Sequence, residues 1–206
     1  PGAEILYYFY KKDKVRYGDV LTMFEKYFES KTDSNLKYSL LFFSSLIKKN
    51  QMTAANFPFI HDSLMEILQH PKDSVYIAAI QYAQYIPDLT SDELKVIAES
   101  ALRTKRSPNI VYPILTSRVN ELEVDIEELF GGVMKVLNEY PMASARGALC
   151  MLRVLLPLYP SYDAPSVALT ISKYLEEESY AAKVLEIYKL MLENTTDPGL
   201  RNPLIE

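Results

Sequence analysis

His61, Asp62 and Ser63 stand side by side, the three residue types of a hydrolytic triad. The spacing forbids that chemistry. Neighbouring residues on a helix point about 100° apart and cannot line up a nucleophile, a base and an orienting acid. His70, the second of two histidines, falls in a turn signal with Pro71 and reads as a cap or surface residue. One cysteine (Cys150) and two histidines fall short of a zinc ligand set. Asp125, Glu127, Glu128 and the run Glu176, Glu177, Glu178 offer hard-cation oxygens, but acids at helix ends also pair with the helix dipole. Gly131-Gly132 lacks the spacing and the lysine of a phosphate loop. A close helix approach or a kink explains it instead. No catalytic residue, cofactor site or metal site is expected, and the chain is not expected to be an enzyme. A pocket between helices would still need an acid–base pair that the sequence does not offer.

Charge and composition narrow the classes further. The 206 residues are 49% apolar and 24% charged, the balance of a folded domain long enough to bury a core. A net charge of −5 argues against nucleic acid as the main partner, because phosphate neutralisation usually requires a basic domain. The basic cluster Arg103, Lys105, Arg106 is a candidate edge patch for an acidic partner, a phosphate or a lipid headgroup. Lys11, Lys12 and Lys14 after LYYFY suggest a membrane-surface element or, alternatively, an amphipathic helix packed on the rest of the protein. A single cysteine points to an intracellular compartment, cytoplasm or nucleus. No apolar run reaches the roughly 18 residues of a membrane span. The opening PGAEILYYFY is not an initiator sequence, so a fragment of a larger protein is expected.

The elements that would carry these residues are helices. Leu36, Leu40, Phe43 and Ile47 lie at helical spacing, as do Leu94, Ile97, Ala98, Ala101 and Leu102. The same holds for Ile126, Leu129, Phe130, Val133, Val136 and Leu137, and for Ala182, Leu185, Leu190 and Leu192. Strand alternation and Asn-Gly or Asp-Gly turns are absent. Thr90 with Glu93, and Asp125 with Glu128, have capping-box spacing. Ser107-Pro108 and Asp163 before Pro165 read as helix starts, and Pro87, Pro141 and Pro160 as stops. Pro113 predicts a kink or break near Val111–Tyr112, and Pro157 an end or bend.

Helix starts near Gly18, Asn56, Thr90, Asp125 and Asp163 form one series; starts near Ser34, Asp73, Ser107, Ala143 and Ser179 form another. Each advances by roughly 34–39 residues, the period of a helical-hairpin repeat. About five antiparallel hairpins follow, in one domain over 1–206, with an extra helix in 1–16 and a flexible tail in 197–206. Sixteen tyrosines against no tryptophan suit thin layers, where a ring packs and its hydroxyl stays at a wet edge.

In HPKDSVYIAAIQYA, the residues Pro71, Asp73, Val75, Ala78 and Ala79 resemble the second helix of a HEAT or armadillo-type repeat. Tyr76 departs from the arginine that often follows the valine. The resemblance covers most of the chain in rhythm and implies an all-α fold, a right-handed α-solenoid whose usual occupation is holding other macromolecules. It further implies that second helices line the concave side. Their polar residues Gln81, Gln84, Arg118, Arg146, Arg153 and Lys189 are then the expected contact set for a protein partner within a multi-subunit complex. The alternative from another class is a nucleic-acid-binding helical repeat that uses Arg103, Lys105, Arg106 and the groove arginines.

Overall fold

The computed structural model describes residues 2–194, and all regular structure among them is helical. The chain divides into two compact units, 1–96 and 97–206. The tail expected at 197–206 lies outside the described residues. Among those described, no helix is long and apolar enough to cross a membrane.

The first unit holds α1 (Gly2–Lys11), α2 (Tyr17–Glu29), α3 (Asp33–Lys48), a 3-10 turn (Ala54–Asn56), α4 (Pro58–Asp62), α5 (Leu64–Leu68) and α6 (Asp73–Ala83); α7 (Ser91–Glu99) begins in it. α3 is its centre, touching α1, α2 and α6. Of the predicted stripe, Leu36, Leu40 and Phe43 are buried and Ile47 is half-buried, and Phe42 stacks on Phe24 with ring centroids 4.0 Å apart. Buried Ser39 donates its hydroxyl to the Phe24 carbonyl at 3.0 Å. α6 buries Val75, Tyr76, Ala78, Ala79, Ile80, Tyr82 and Ala83, so it is wrapped on nearly every side.

α1, α2 and α3 all end on a residue with positive φ that is not glycine: Asp13 (51°), Lys31 (49°) and Asn50 (54°). At the end of α1 the Asp13 N–H bonds the Tyr10 carbonyl and the Lys14 N–H bonds the Phe9 carbonyl, the paired bonds of a Schellman stop. The end of α3 repeats this pair at Asn50 and Gln51. The proline stops of the sequence do not mark these ends.

The second unit holds a 3-10 turn (Ser100–Leu102), α8 (Pro108–Thr116), a second turn (Val119–Glu121), α9 (Ile126–Glu139), a third (Met142–Ser144), α10 (Ala145–Leu155), α11 (Ala164–Ser172) and α12 (Glu178–Asn194). α10 packs on α8, α9 and α12, and α11 packs on α9 and α12. The starts of α9, α11 and α12 fall within one residue of those expected. Asp125 caps α9 by accepting from the Glu127 N–H at 2.8 Å, not through Glu128. Pro157 lies two residues beyond the end of α10, as a stop expected there would.

Three expectations need correction. α8 runs unbroken through Pro113, which lies three residues before the helix end and is exposed. α12 buries Val184, Ile187 and Met191, while Leu185 is 60% exposed. This helix carries apolar residues on more than one face, and the pattern alone selected the wrong one. Finally, the tyrosine rings go deeper than a wet edge: Tyr76, Tyr82, Tyr112 and Tyr174 are fully buried.

The close helix approach expected at Gly131-Gly132 occurs elsewhere. A Cβ on Gly131 would meet nothing within 4 Å, and one on Gly132 would make ordinary contact with the Tyr112 hydroxyl at 3.7 Å. Gly147, on α10, is the constrained position: a Cβ there would collide with the Pro108 carbonyl and sit 2.9 Å from Asn109 Cα.

Candidate functional site

His61 does not face Ser63. Its Nε2 lies 3.3 Å from Glu93 at the start of α7. Glu93 is almost fully buried and also accepts from the Thr90 N–H at 2.7 Å and the Thr90 hydroxyl at 2.9 Å. The Thr90 hydroxyl receives the Glu93 N–H at 3.2 Å, so the predicted capping box is complete. A buried carboxylate needs all of these partners. Glu93→Ala is expected to cost about 2 kcal/mol, the sum of a lost cap and orphaned donors. Urea unfolding followed by circular dichroism reads it; a change below about 0.5 kcal/mol would remove Glu93 from the framework.

His70 accepts from the Lys72 N–H at Nδ1 (3.1 Å), which leaves Nε2 to face Asp33 at 3.6 Å. The Lys72 ammonium, 3.0 Å from Asp33, bonds that carboxyl and holds it below the usual aspartate range. His70 therefore sits in the turn before α6, as its neighbours in sequence suggested, and faces Asp33 at the start of α3.

The basic cluster is split by its environment. Arg103 is half-buried, whereas Lys105 and Arg106 are exposed on the loop before α8. That loop is pinned, since the Ser144 hydroxyl donates to the Lys105 carbonyl at 2.6 Å. Next to it, Asn109 works as a clamp. Its Nδ2 donates to the Ala143 carbonyl (2.5 Å), and its Oδ1 accepts the Gly147 N–H (2.9 Å). Ser144, at the N-cap of α10, makes no side-chain cap bond, so an amide from α8 supplies a cap that the local sequence does not. Sequence reading missed this contact because its partners lie 34 and 38 residues apart.

The expected contact residues fall into separate groups. Gln81 and Gln84 sit on α6 in the first unit, half-buried and exposed, with the Gln84 amide donating to the Gln81 carbonyl at 2.6 Å. Arg118 lies beyond α8, half-buried, its Nη1 3.9 Å from Glu121. Arg153 and Lys189 come together. They line a groove between α10 and α12 with Pro157, Glu186, Leu190 and Glu193. The Arg153 guanidinium meets Glu186 at 2.9 Å, and Lys189 reaches Glu193 at 3.7 Å. Arg146 is exposed on α10 seven residues before Arg153, so both point to the same side two turns apart.

This groove is lined by the apolar side chains of Pro157 and Leu190 and by charges of both signs. Its ion pairs are solvated and contribute no more than about 1 kcal/mol each; Arg153–Glu186 joins α10 to α12, and Lys189–Glu193 lies within α12. They can therefore exchange partners at little cost. What the groove can do chemically is grip an extended or helical chain that alternates apolar and charged residues.

Comparison with protein-family models, with curated proteins and with solved structures finds no match to this chain.

Proposed function

We propose that the chain is a HEAT/armadillo-like α-solenoid that binds another polypeptide along one face, without catalysis, as part of a larger assembly. The repeat reading is supported by how the helices pair. In the second unit α8, α10 and α12 pack in one row, and α11 packs on α9 in another. Several of the side-chain bonds that tie these helices have a similar offset, although Tyr188 to the Ala168 carbonyl spans 20. Tyr140 donates to the Leu102 carbonyl, Tyr174 to Leu137 and Tyr180 to Met142, spanning 38, 37 and 38 residues. In the first unit Tyr10 with Gln51 and Tyr38 with Glu4 span 41 and 34. A recurring offset near the helix-start period is what neighbouring hairpins in a stack produce.

The observation that carries the binding reading is the α10–α12 groove, which Arg153 and Lys189 line together with apolar Pro157 and Leu190. Hot spots need an apolar anchor site ringed by polar groups, and this groove offers both. The experiment is affinity capture with the wild-type chain and with Arg146→Glu/Arg153→Glu/Lys189→Glu. The expected result is a defined protein set retained by the wild type and lost by the triple variant, whose circular dichroism is unchanged. Identical recovery by both chains would refute the groove as the binding face.

A further inference from the structure

α1 is apolar on both sides. Ala3 and Tyr10 face inward, the latter edge-on against Phe42 at 4.9 Å. The outward face nevertheless carries Ile5, Tyr8 and Phe9, at 54%, 56% and 49% exposure. At spacings of three and four, these side chains form one continuous stripe. Lys12 extends it, four residues beyond Tyr8, with its N–H still bonded to the Tyr8 carbonyl. The Schellman stop at Asp13 then turns the chain, so exposed Lys11, Lys12, Lys14 and Arg16 are gathered at one end of the stripe.

The acids nearby do not cancel this charge. Glu4 is turned toward α3, where it accepts the Tyr38 hydroxyl at 2.6 Å. Asp13 lies 3.6 Å from a fifth cation, Lys49. An exposed aliphatic–aromatic stripe capped by four cations, on a chain whose net charge is −5, marks a local surface with its own partner.

We propose that the outer face of α1 docks on an anionic lipid bilayer, with Ile5, Tyr8 and Phe9 entering the headgroup layer and Lys11, Lys12, Lys14 and Arg16 meeting lipid phosphates. The chemistry favours a bilayer over a protein. The stripe carries no polar atom other than the Tyr8 hydroxyl and the charge at its end is cationic, whereas a protein interface surrounds its apolar core with a mixed polar rim. Aromatic rings with a phenolic hydroxyl settle at the membrane–water boundary, and lysine stems reach the headgroups while their methylenes stay apolar. Attachment is reversible and lies in the interface plane, since ten residues cannot span a bilayer.

The test is co-sedimentation of the 206-residue chain with vesicles of phosphatidylcholine alone and of phosphatidylcholine mixed with phosphatidylserine. Binding is expected to the mixed vesicles, to fall about tenfold or more without phosphatidylserine, and to weaken as salt rises from about 0.1 M to 0.5 M. Ile5→Ser/Phe9→Ser and, separately, Lys11→Glu/Lys12→Glu should each reduce partitioning about tenfold. All four residues are exposed, so thermal unfolding should be unchanged, and the charge pair answers for the apolar pair should the latter misfold. The proposal falls if the chain does not sediment with anionic vesicles, or if it binds neutral vesicles equally. It also falls if Ile5→Ser/Phe9→Ser leaves vesicle binding intact and instead abolishes a dimer seen by analytical ultracentrifugation, which would make a second copy the occupant.

Discussion

Replacing Gly147 by alanine is expected to destabilise the protein by about 3 kcal/mol, a loss at the upper end for a small-to-large change. The added methyl has no rotamer to escape through. It would press on the Pro108 carbonyl and Asn109 Cα, which are backbone atoms of α8 and cannot rotate away. Relief requires α8 and α10 to separate, and separation strains both bonds of the Asn109 clamp. Marginal stability makes such a loss severe, since a domain of this size has roughly 5–15 kcal/mol in total. Gly131→Ala supplies the internal control. Nothing lies near its Cβ position, so the substitution should stabilise by about 1 kcal/mol through helix propensity alone. Urea unfolding read by tyrosine fluorescence checks both, and equal midpoints for the two variants would refute the close approach.

The second large effect is at alkaline pH. Tyr82 and Tyr112 are fully buried, with hydroxyls that have no hydrogen-bond partner among the described residues, and burial pushes both phenols far above their ordinary value of 10. Burial, with Tyr180 close by, raises Tyr174 as well, and the hydrogen bond to Glu4 is the chief cause of the rise at Tyr38. In each case the folded state keeps a proton that the unfolded chain releases. The stability these tyrosines contribute is therefore complete below about pH 10 and declines as pH rises above it. Each buried phenol steepens the loss by up to about 1.4 kcal/mol per pH unit, so Tyr82 and Tyr112 together give about 2.7. Unfolding midpoints at pH 9, 10 and 11 should fall steeply for the wild type and less steeply for Tyr82→Phe/Tyr112→Phe. Parallel slopes would show that these two hydroxyls reach solvent in the folded state.

What the sequence made legible was local. Helix starts were found because caps and first-turn residues sit within four positions of one another, as at Thr90 and Glu93. Much of the burial in α3 and α9 followed from an apolar stripe at helical spacing, whereas α6 is buried on nearly every side. α12 misled because more than one of its faces is apolar, so the buried one is set by what packs against it. The αL stops at Asp13, Lys31 and Asn50 escaped because none is the glycine expected in that conformation. The candidate site was the least legible part. Surface polar residues carry no period, and only the fold could show that Arg153 and Lys189 share a groove while Arg118 turns toward Glu121. Gly147 and Asn109 were invisible for a related reason, because the constraint on each is written in the other's neighbourhood.

The short reach of the side-chain hydrogen bonds bears on how the chain is made. The bonds described above join residues no more than 41 positions apart. At about 5–20 residues per second, a ribosome delivers every such partner within about 2–8 s of the first residue emerging. Each helix joined by such a bond can thus meet its hydrogen-bonding partner while later residues are still being translated, without waiting for a distant terminus.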